Sequence, residues 1–250
     1  MRMLDWRLVA AGVILACIAC KNADAPTSPD AIRGGTGLTN LPAASSFEPR
    51  SDNPYFPLIP GTIYHYETQT DEGLETDDFY VTHSTKVING VTVRVIRDVV
   101  RLEGEVTEFT FDWFAQDDAG NVWYFGEDSR TIEDGKVVST EGSWMAGRDG
   151  AQPGIVMEAH PQVGDKYQEE NAPGVAQDRA EVLSLTESVQ VPFGSFTNCL
   201  KTRNTTPLEP DVIEEKYYCL GVGSVKEIDV APDPGTTRLI SITHDTGDDH

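Results

Sequence analysis

The residues best suited to chemistry lie between positions 142 and 178, a run rich in glycine and proline that also carries charged side chains. Glu158 and His160 would share one face of an extended chain, and Asp165 follows them. A carboxylate and an imidazole can hold a divalent cation or act as acid and base, although a solvated histidine beside a turn has the same spacing. We therefore keep Glu158, His160 and Asp165 as candidate metal ligands, and we assign no catalytic residue and no cofactor beyond such a cation.

Aromatic side chains are concentrated in residues 109–125, which include Trp113 and Trp123. Trp144 and Arg148 follow in the run described above. Side chains of this kind form either a wall of the hydrophobic core or a stacking surface for an apolar ligand, a lipid or a sugar ring. The candidate binding residues are Trp113, Trp123, Trp144, Arg148, Glu158 and His160.

The sequence lacks the motifs that usually mark an enzyme. There is no Gly-x-Ser-x-Gly elbow, no Gly-x-Gly-x-x-Gly turn and no Gly-x-x-x-x-Gly-Lys-Ser/Thr phosphate loop. Asp117, Asp118 and Asn121 stand close together, but a turn explains them better than a calcium loop, whose residue order they lack. We therefore expect a non-catalytic β domain that binds a small ligand or an envelope protein. The alternatives are a metal-dependent hydrolase that uses residues 142–178 and a purely structural envelope component.

Strands must position these residues, because no stretch shows a sustained helical period of apolar side chains. Apolar and polar residues alternate in Ile63–Glu67 and Phe109–Trp113, and Asn89-Gly90 is a typical hairpin turn. We count about ten to twelve short strands in the body of the chain. The pattern predicts an all-β, mainly antiparallel meander that closes into a barrel or half-barrel, with a long irregular loop at 142–178.

Cys199 and Cys219 are the cysteines outside the N-terminal region, and we expect them to form a disulfide in an exported protein. If they face each other across an antiparallel pair, then Leu200 lies opposite Tyr218. The same register sets Arg203 opposite Glu215 as an ion pair on the cysteine face.

The composition is strongly acidic, with 19 Lys and Arg against 41 Asp and Glu and a net charge of −22. Such a chain repels phosphate, so nucleic-acid binding is excluded, as is a polybasic membrane-surface role. Cations and basic partners remain open. The length of 250 residues is ample for one hydrophobic core.

The N-terminus resembles a bacterial lipoprotein signal. Basic residues precede an apolar run, Leu8–Ala19, that is too short to span a bilayer. Cys20 follows this run and is the expected lipid anchor, with acyl chains such as palmitate; Cys17 is the alternative, and an ordinary cleaved signal without lipid is another. Lys21 is not the aspartate that often signals inner-membrane retention, which favours the outer membrane or the periplasmic face.

These observations divide the chain into segments. We expect residues 1–19 to form a signal peptide, 20–54 a disordered lipidated tether, 55–244 the antiparallel β domain and 245–250 a disordered acidic tail. The membrane is therefore a partner through the N-terminal lipid, and the expected location is the bacterial cell envelope.

Two stretches, 191–200 and 216–226, carry a VPxGxFxxCL…YYxxGVGxVK pattern. This pattern resembles that of uncharacterised bacterial exported β-proteins and lipoproteins, which are similar in turn to curved-sheet periplasmic carrier proteins. The resemblance implies a curved antiparallel sheet. It implies little about activity, because a fold does not by itself give a function.

Overall fold

The computed structural model describes residues 41–232 and 234–245. One short 3-10 helix, Ala44–Ser46, precedes the strands. None of the described residues forms a helix with the length and hydropathy of a membrane span. The strands are β1 (Phe47–Glu48), β2 (Thr62–Thr70), β3 (Gly73–Ile88), β4 (Val91–Leu102), β5 (Glu105–Asp117), β6 (Val122–Glu133), β7 (Lys136–Ser139), β8 (Trp144–Met145), β9 (Gln152–Met157), β10 (Lys166–Gln168), β11 (Glu170–Asn171), β12 (Arg179–Val191), β13 (Gly194–Thr205), β14 (Ile213–Cys219), β15 (Gly223–Ala231) and β16 (Gly235–His244).

The strands form an almost closed antiparallel barrel, which confirms the predicted fold class. Neighbours follow the order β10-β12-β13-β14-β15-β16-β2-β3-β4-β5-β6-β9-β11. Tight turns make most of these connections. Between β3 and β4, for example, Asn89 and Gly90 have φ of 53° and 82°, the positive values that a two-residue hairpin turn needs.

The segment Lys166–Asn171, here called the closing segment, joins the two ends of this order. Its first half, β10, pairs with β12, and its second half, β11, pairs with β9. Residues 142–178, which we expected to be an irregular loop, thus contain four short strands. The total of sixteen strands exceeds the predicted ten to twelve, because strands of two to four residues leave no alternation to detect.

One end of the barrel is covered by the N-terminal segment Ser51–Leu58, here called the strap. The Phe56 ring lies 5.4 Å from Phe114 on β5 and 6.5 Å from Tyr218 on β14, so it bridges facing walls. Phe47 is also buried. The folded body therefore begins before the expected boundary at residue 54, since these apolar side chains are better buried than solvated.

The strap is held by hydrogen bonds at both sides of the opening. Gln116 Oε1 accepts the backbone N–H groups of Asp52 and Asn53, each at 3.0 Å. Gly221 N donates to Pro54 O at 2.7 Å. We call this end the capped end; the strand order places the turns after β2, β4, β13 and β15 at the opposite end, the acidic end.

The predicted disulfide between Cys199 and Cys219 is confirmed. The register is confirmed as well, because Leu200 lies opposite Tyr218 and Arg203 opposite Glu215. Glu215 forms an ion pair, but the predicted basic partner, Arg203, is wrong. Lys201 Nζ lies 2.7 Å from Glu215 Oε2, whereas Arg203 is exposed. Lys201 lies diagonally across from Glu215 on the same face, within reach of a long side chain.

Candidate functional site

The barrel interior changes from apolar to acidic along its length. Near the strap it is filled by rings, with Phe114 stacked on Tyr124 at 4.5 Å and Tyr64 near Phe79 at 6.0 Å. Toward the acidic end the inward positions of the same strands carry carboxylates. The buried acids of the interior are Glu75, Asp77, Asp98, Asp112, Glu127, Glu169, Glu170, Glu214 and Glu227.

Lys216 is the buried lysine among the described residues, and it lies on the same inner surface. Its Nζ is 3.3 Å from Glu214 Oε2 and 3.6 Å from Glu227 Oε2. Burial alone would lower the pKa of Lys216, but Glu227 and Glu214 outweigh burial and raise it. The barrel interior thus holds one fixed ammonium group and many carboxyl groups, so the numbers of acidic and basic groups are far from equal.

On the wall formed by β3, β4 and β5, the carboxylates of Asp77, Asp98 and Asp112 form an arc. Tyr124 donates a hydrogen bond to Asp112 Oδ1 at 2.6 Å, while Asp112 Oδ2 and Asp98 Oδ1 accept none. Burial raises the pKa of Asp98 and of Asp112 well above the usual range, and neighbouring acids add to the shift. The fold therefore favours the protonated form of both carboxyl groups more than water does.

A second group of acids surrounds the closing segment. Asn204 Nδ2 donates to Glu169 Oε2 at 2.6 Å, and Trp144 Nε1 donates to Glu170 Oε1 at 3.4 Å. Burial raises the pKa of Glu169 to about 8 and that of Asp178 to about 7, although Lys216 opposes both shifts. Glu170 Oε2 accepts no hydrogen bond and Glu170 is only 1% exposed.

A cleft opens on these residues at the acidic end. It is open to solvent. Three carboxylates, from Asp178, Glu209 and Glu214, line it together with Asn204 and Thr206. The cleft is therefore acidic and suited to a positively charged group.

The predicted tryptophans lie in the hydrophobic core, as the core-wall interpretation expects. Trp113 and Trp123 are each 4% exposed and Trp144 is 6% exposed. Lys86 Nζ covers the Trp113 ring at 3.4 Å from its centroid, and Trp123 Nε1 donates to Asp117 Oδ2 at 2.8 Å. A ligand-contacting role for these rings stays a prediction.

The predicted polar candidates lie at the surface of the capped end or on exposed turns. The Glu158 carboxyl is half-buried and shares a hydrogen bond with Asp165; burial and this neighbour raise the pKa of Glu158 to about 7. His160 and Arg148 are exposed. Among the described residues, Glu158, His160 and Asp165 do not bring their ligating atoms together as a trio within 4.8 Å.

The turn of Asp117 is confirmed as a structural device. Asp117 Oδ1 accepts the backbone N–H groups of Ala119 and Asn121, each at 2.9 Å. The side-chain amide of Asn121 donates to Asp117 Oδ2 at 2.9 Å. With the Trp123 indole N–H described above, four hydrogen bonds satisfy this carboxylate, so the turn accounts for its position.

Within the described part of the chain, the fold brings together a trio of carboxylates that the sequence did not predict. Donor atoms of Glu214, Glu227 and Asp229 all lie within 4.8 Å of one another. A signal was available, because the register that follows from the cysteines sets Glu214 and Lys216 on the same face as Tyr218. Charged residues at inward positions of a strand are uncommon unless they are paired or functional.

No protein-family model matches this sequence. No curated protein matches it either. Two solved structures are similar to it. One, from Bacteroides fragilis, is described as an exported protein with a YmcC-like fold; it is 16% identical, the match covers 76% of this chain and 98% of that one, and the TM-score is 0.46. The other, described as a lipoprotein from Parabacteroides distasonis, is 13% identical with the same coverage and a TM-score of 0.43.

Proposed function

We propose that this chain is an exported, lipid-anchored envelope protein whose barrel binds a cationic ligand at its acidic end without catalysing a reaction. The observation that carries the proposal is the imbalance of charge inside the barrel. Nine buried carboxylates, listed above, share the interior with one buried lysine, and one of the nine, Glu214, lines the acidic cleft. A cation that enters would relieve carboxylate repulsion and release protons.

The orientation of the barrel supports this role. The chain enters at the capped end, where β1 pairs with β5 at Asp117 and Gln116. The cleft lies at the opposite end of the strands. In a protein moored through Cys20, the binding end would therefore point away from the membrane, where a soluble ligand or a basic partner has access.

Calorimetric titration of the mature protein with spermidine tests the binding proposal, because a polyamine can donate to several carboxylates at once. We expect saturable binding that is weakened at least tenfold by Asp178→Asn in the cleft. Asp118→Asn, an exposed turn residue at the capped end, removes the same charge and should leave the affinity within twofold.

The proposal is contradicted if spermidine binds equally well to both variants, or if the heat disappears in 150 mM salt as diffuse screening would. The anchor is tested separately by mass spectrometry of the protein from producing cells. A diacylglyceryl group on Cys20, or on Cys17, is the expected result, whereas an intact, unlipidated N-terminus would refute the export part.

A further inference from the structure

The hairpin of β14 and β15 brings three carboxylates to one spot on the inner surface. Glu214 lies opposite Asp229, and Lys216 lies opposite Glu227, so all four side chains share one face. The donor oxygens of Glu214, Glu227 and Asp229 lie within 4.8 Å of one another. Two adjacent strands thus supply three oxygen donors in a rigid setting, and rigid elements hold a coordination geometry better than loops do.

One carboxylate oxygen of Glu227 accepts no hydrogen bond. Glu227 is 3% exposed, and its Oε2 accepts no hydrogen bond. Lys216 Nζ is 3.6 Å away, which is too long for a hydrogen bond. A buried carboxylate oxygen in this condition is energetically costly, and a metal ion on it would remove that cost. Lys216 therefore pairs with this oxygen through charge alone and leaves it without a hydrogen-bond donor.

The charge of the group points to a divalent ion. With all three acids ionised, the trio carries three negative charges and Lys216 returns one positive charge, so two negative charges remain. A divalent ion would balance these two charges.

The donor type selects the class of metal. Carboxylate oxygens without nitrogen or sulfur ligands suit hard cations such as Ca²⁺ and Mg²⁺. Oxygens bound to Ca²⁺ at 2.3–2.6 Å lie up to about 5 Å apart, whereas the shorter bonds of Mg²⁺ limit the separation to about 4 Å. Glu214 lines the cleft, so an ion can reach the trio from solvent.

From this geometry we infer that Glu214, Glu227 and Asp229 bind a divalent cation of the calcium class, with Lys216 as a fixed neighbouring charge. The inference deepens the proposed function, because it assigns one cation to defined ligand atoms on the wall of the proposed binding cleft.

Calorimetry with Ca²⁺ on chelator-treated mature protein, in 150 mM salt at pH 7.5, tests the site. We expect about one ion per chain, and at least a tenfold loss of affinity in Glu227→Gln and in Asp229→Asn. Asp118→Asn is the control, since it removes one charge from an exposed turn at the capped end and should change the affinity by less than twofold.

Absence of saturable Ca²⁺ binding would overturn the inference, and so would an equal loss in Asp118→Asn. If Glu227→Gln does not fold, Asp229→Asn decides the test, because Asp229 is only half-buried and its substitution disturbs the interior less. The two proposals can be refuted separately. Spermidine binding without Ca²⁺ binding refutes the metal site alone, and Ca²⁺ binding without spermidine binding refutes the binding of an organic cation in the cleft alone.

Discussion

At the scale of single residues, Gly154 on β9 determines whether the barrel can close. A Cβ atom at this position would lie 2.1 Å from the backbone oxygen of Glu169 in the closing segment. No side chain can move aside to relieve that contact, because the obstacle is main chain. Gly154 is therefore required for close approach of two backbones rather than for a special φ angle.

We predict that Gly154→Ala lowers the free energy of unfolding by about 3 kcal/mol, as overpacking against backbone does. Gly194→Ala is the control, since its Cβ would meet only the Phe196 ring, at 3.3 Å, and should cost less than about 1 kcal/mol. Urea unfolding of both variants measures the difference. Equal free energies of unfolding would show that the contact between β9 and the closing segment tolerates a wider spacing.

At the scale of elements, the closing segment is the least extensive part of the barrel wall. β10 has three residues and β11 has two, whereas β3 has sixteen. Glu169 lies between the two short strands, and the backbone N–H groups of Glu169 and Glu170 donate to Asp178 O at 2.8 and 3.2 Å. This segment has few ladder hydrogen bonds and brings two buried acids, Glu169 and Glu170, close to the half-buried Asp178, so local opening should begin there.

We predict that amide hydrogen exchange in Lys166–Asn171 speeds up more than that in β3 and β4 when the pH rises from 6 to 9. Exchange must first be corrected for its intrinsic pH dependence. The physical reason is that Glu169 and Asp178 have pKa values raised by burial to about 8 and about 7, so they ionise within this interval. Glu169→Gln should reduce the effect; uniform exchange across the barrel would argue against a weak seam.

At the scale of the whole molecule, the raised pKa values fix the sign of the pH dependence of stability. The folded state holds protons on Asp98, Asp112, Glu170 and Glu227 that the unfolded chain releases. The folded form therefore binds more protons above the unfolded pKa of about 4. Stability is highest below that value and falls as the pH rises toward the folded pKa values.

We predict that the melting temperature at pH 5 exceeds that at pH 8 by at least about 5 °C, measured by calorimetry at constant ionic strength. Ca²⁺ at pH 8 should restore part of the loss if the trio binds it, because a ligand of the folded state stabilises that state. A melting temperature that rises from pH 5 to pH 8 would mean that these carboxylates are ionised and compensated in the folded protein.

Local patterns explain which features could be predicted from the sequence. Alternation in Phe109–Trp113 and the Asn89-Gly90 turn reflect the two-residue period and the backbone freedom of glycine, which do not depend on distant residues. The register of β13 and β14 followed from the two cysteines because a disulfide fixes which residues are opposite. The contacts of Phe47 and Phe56 with distant strands left no local pattern, because both residues stand in a stretch rich in proline and serine.

By itself, the sequence determined an acidic, antiparallel β fold with one disulfide, and it marked the N-terminal region with a pattern that resembles an export signal. Only the tertiary structure decided which acids meet. Glu214, Glu227 and Asp229 gather because β14 pairs with β15 in one particular register, and Glu169 reaches the interior because its segment closes the barrel. Charge composition is a property of the chain, whereas the position of each charge depends on strand pairing between residues far apart in sequence.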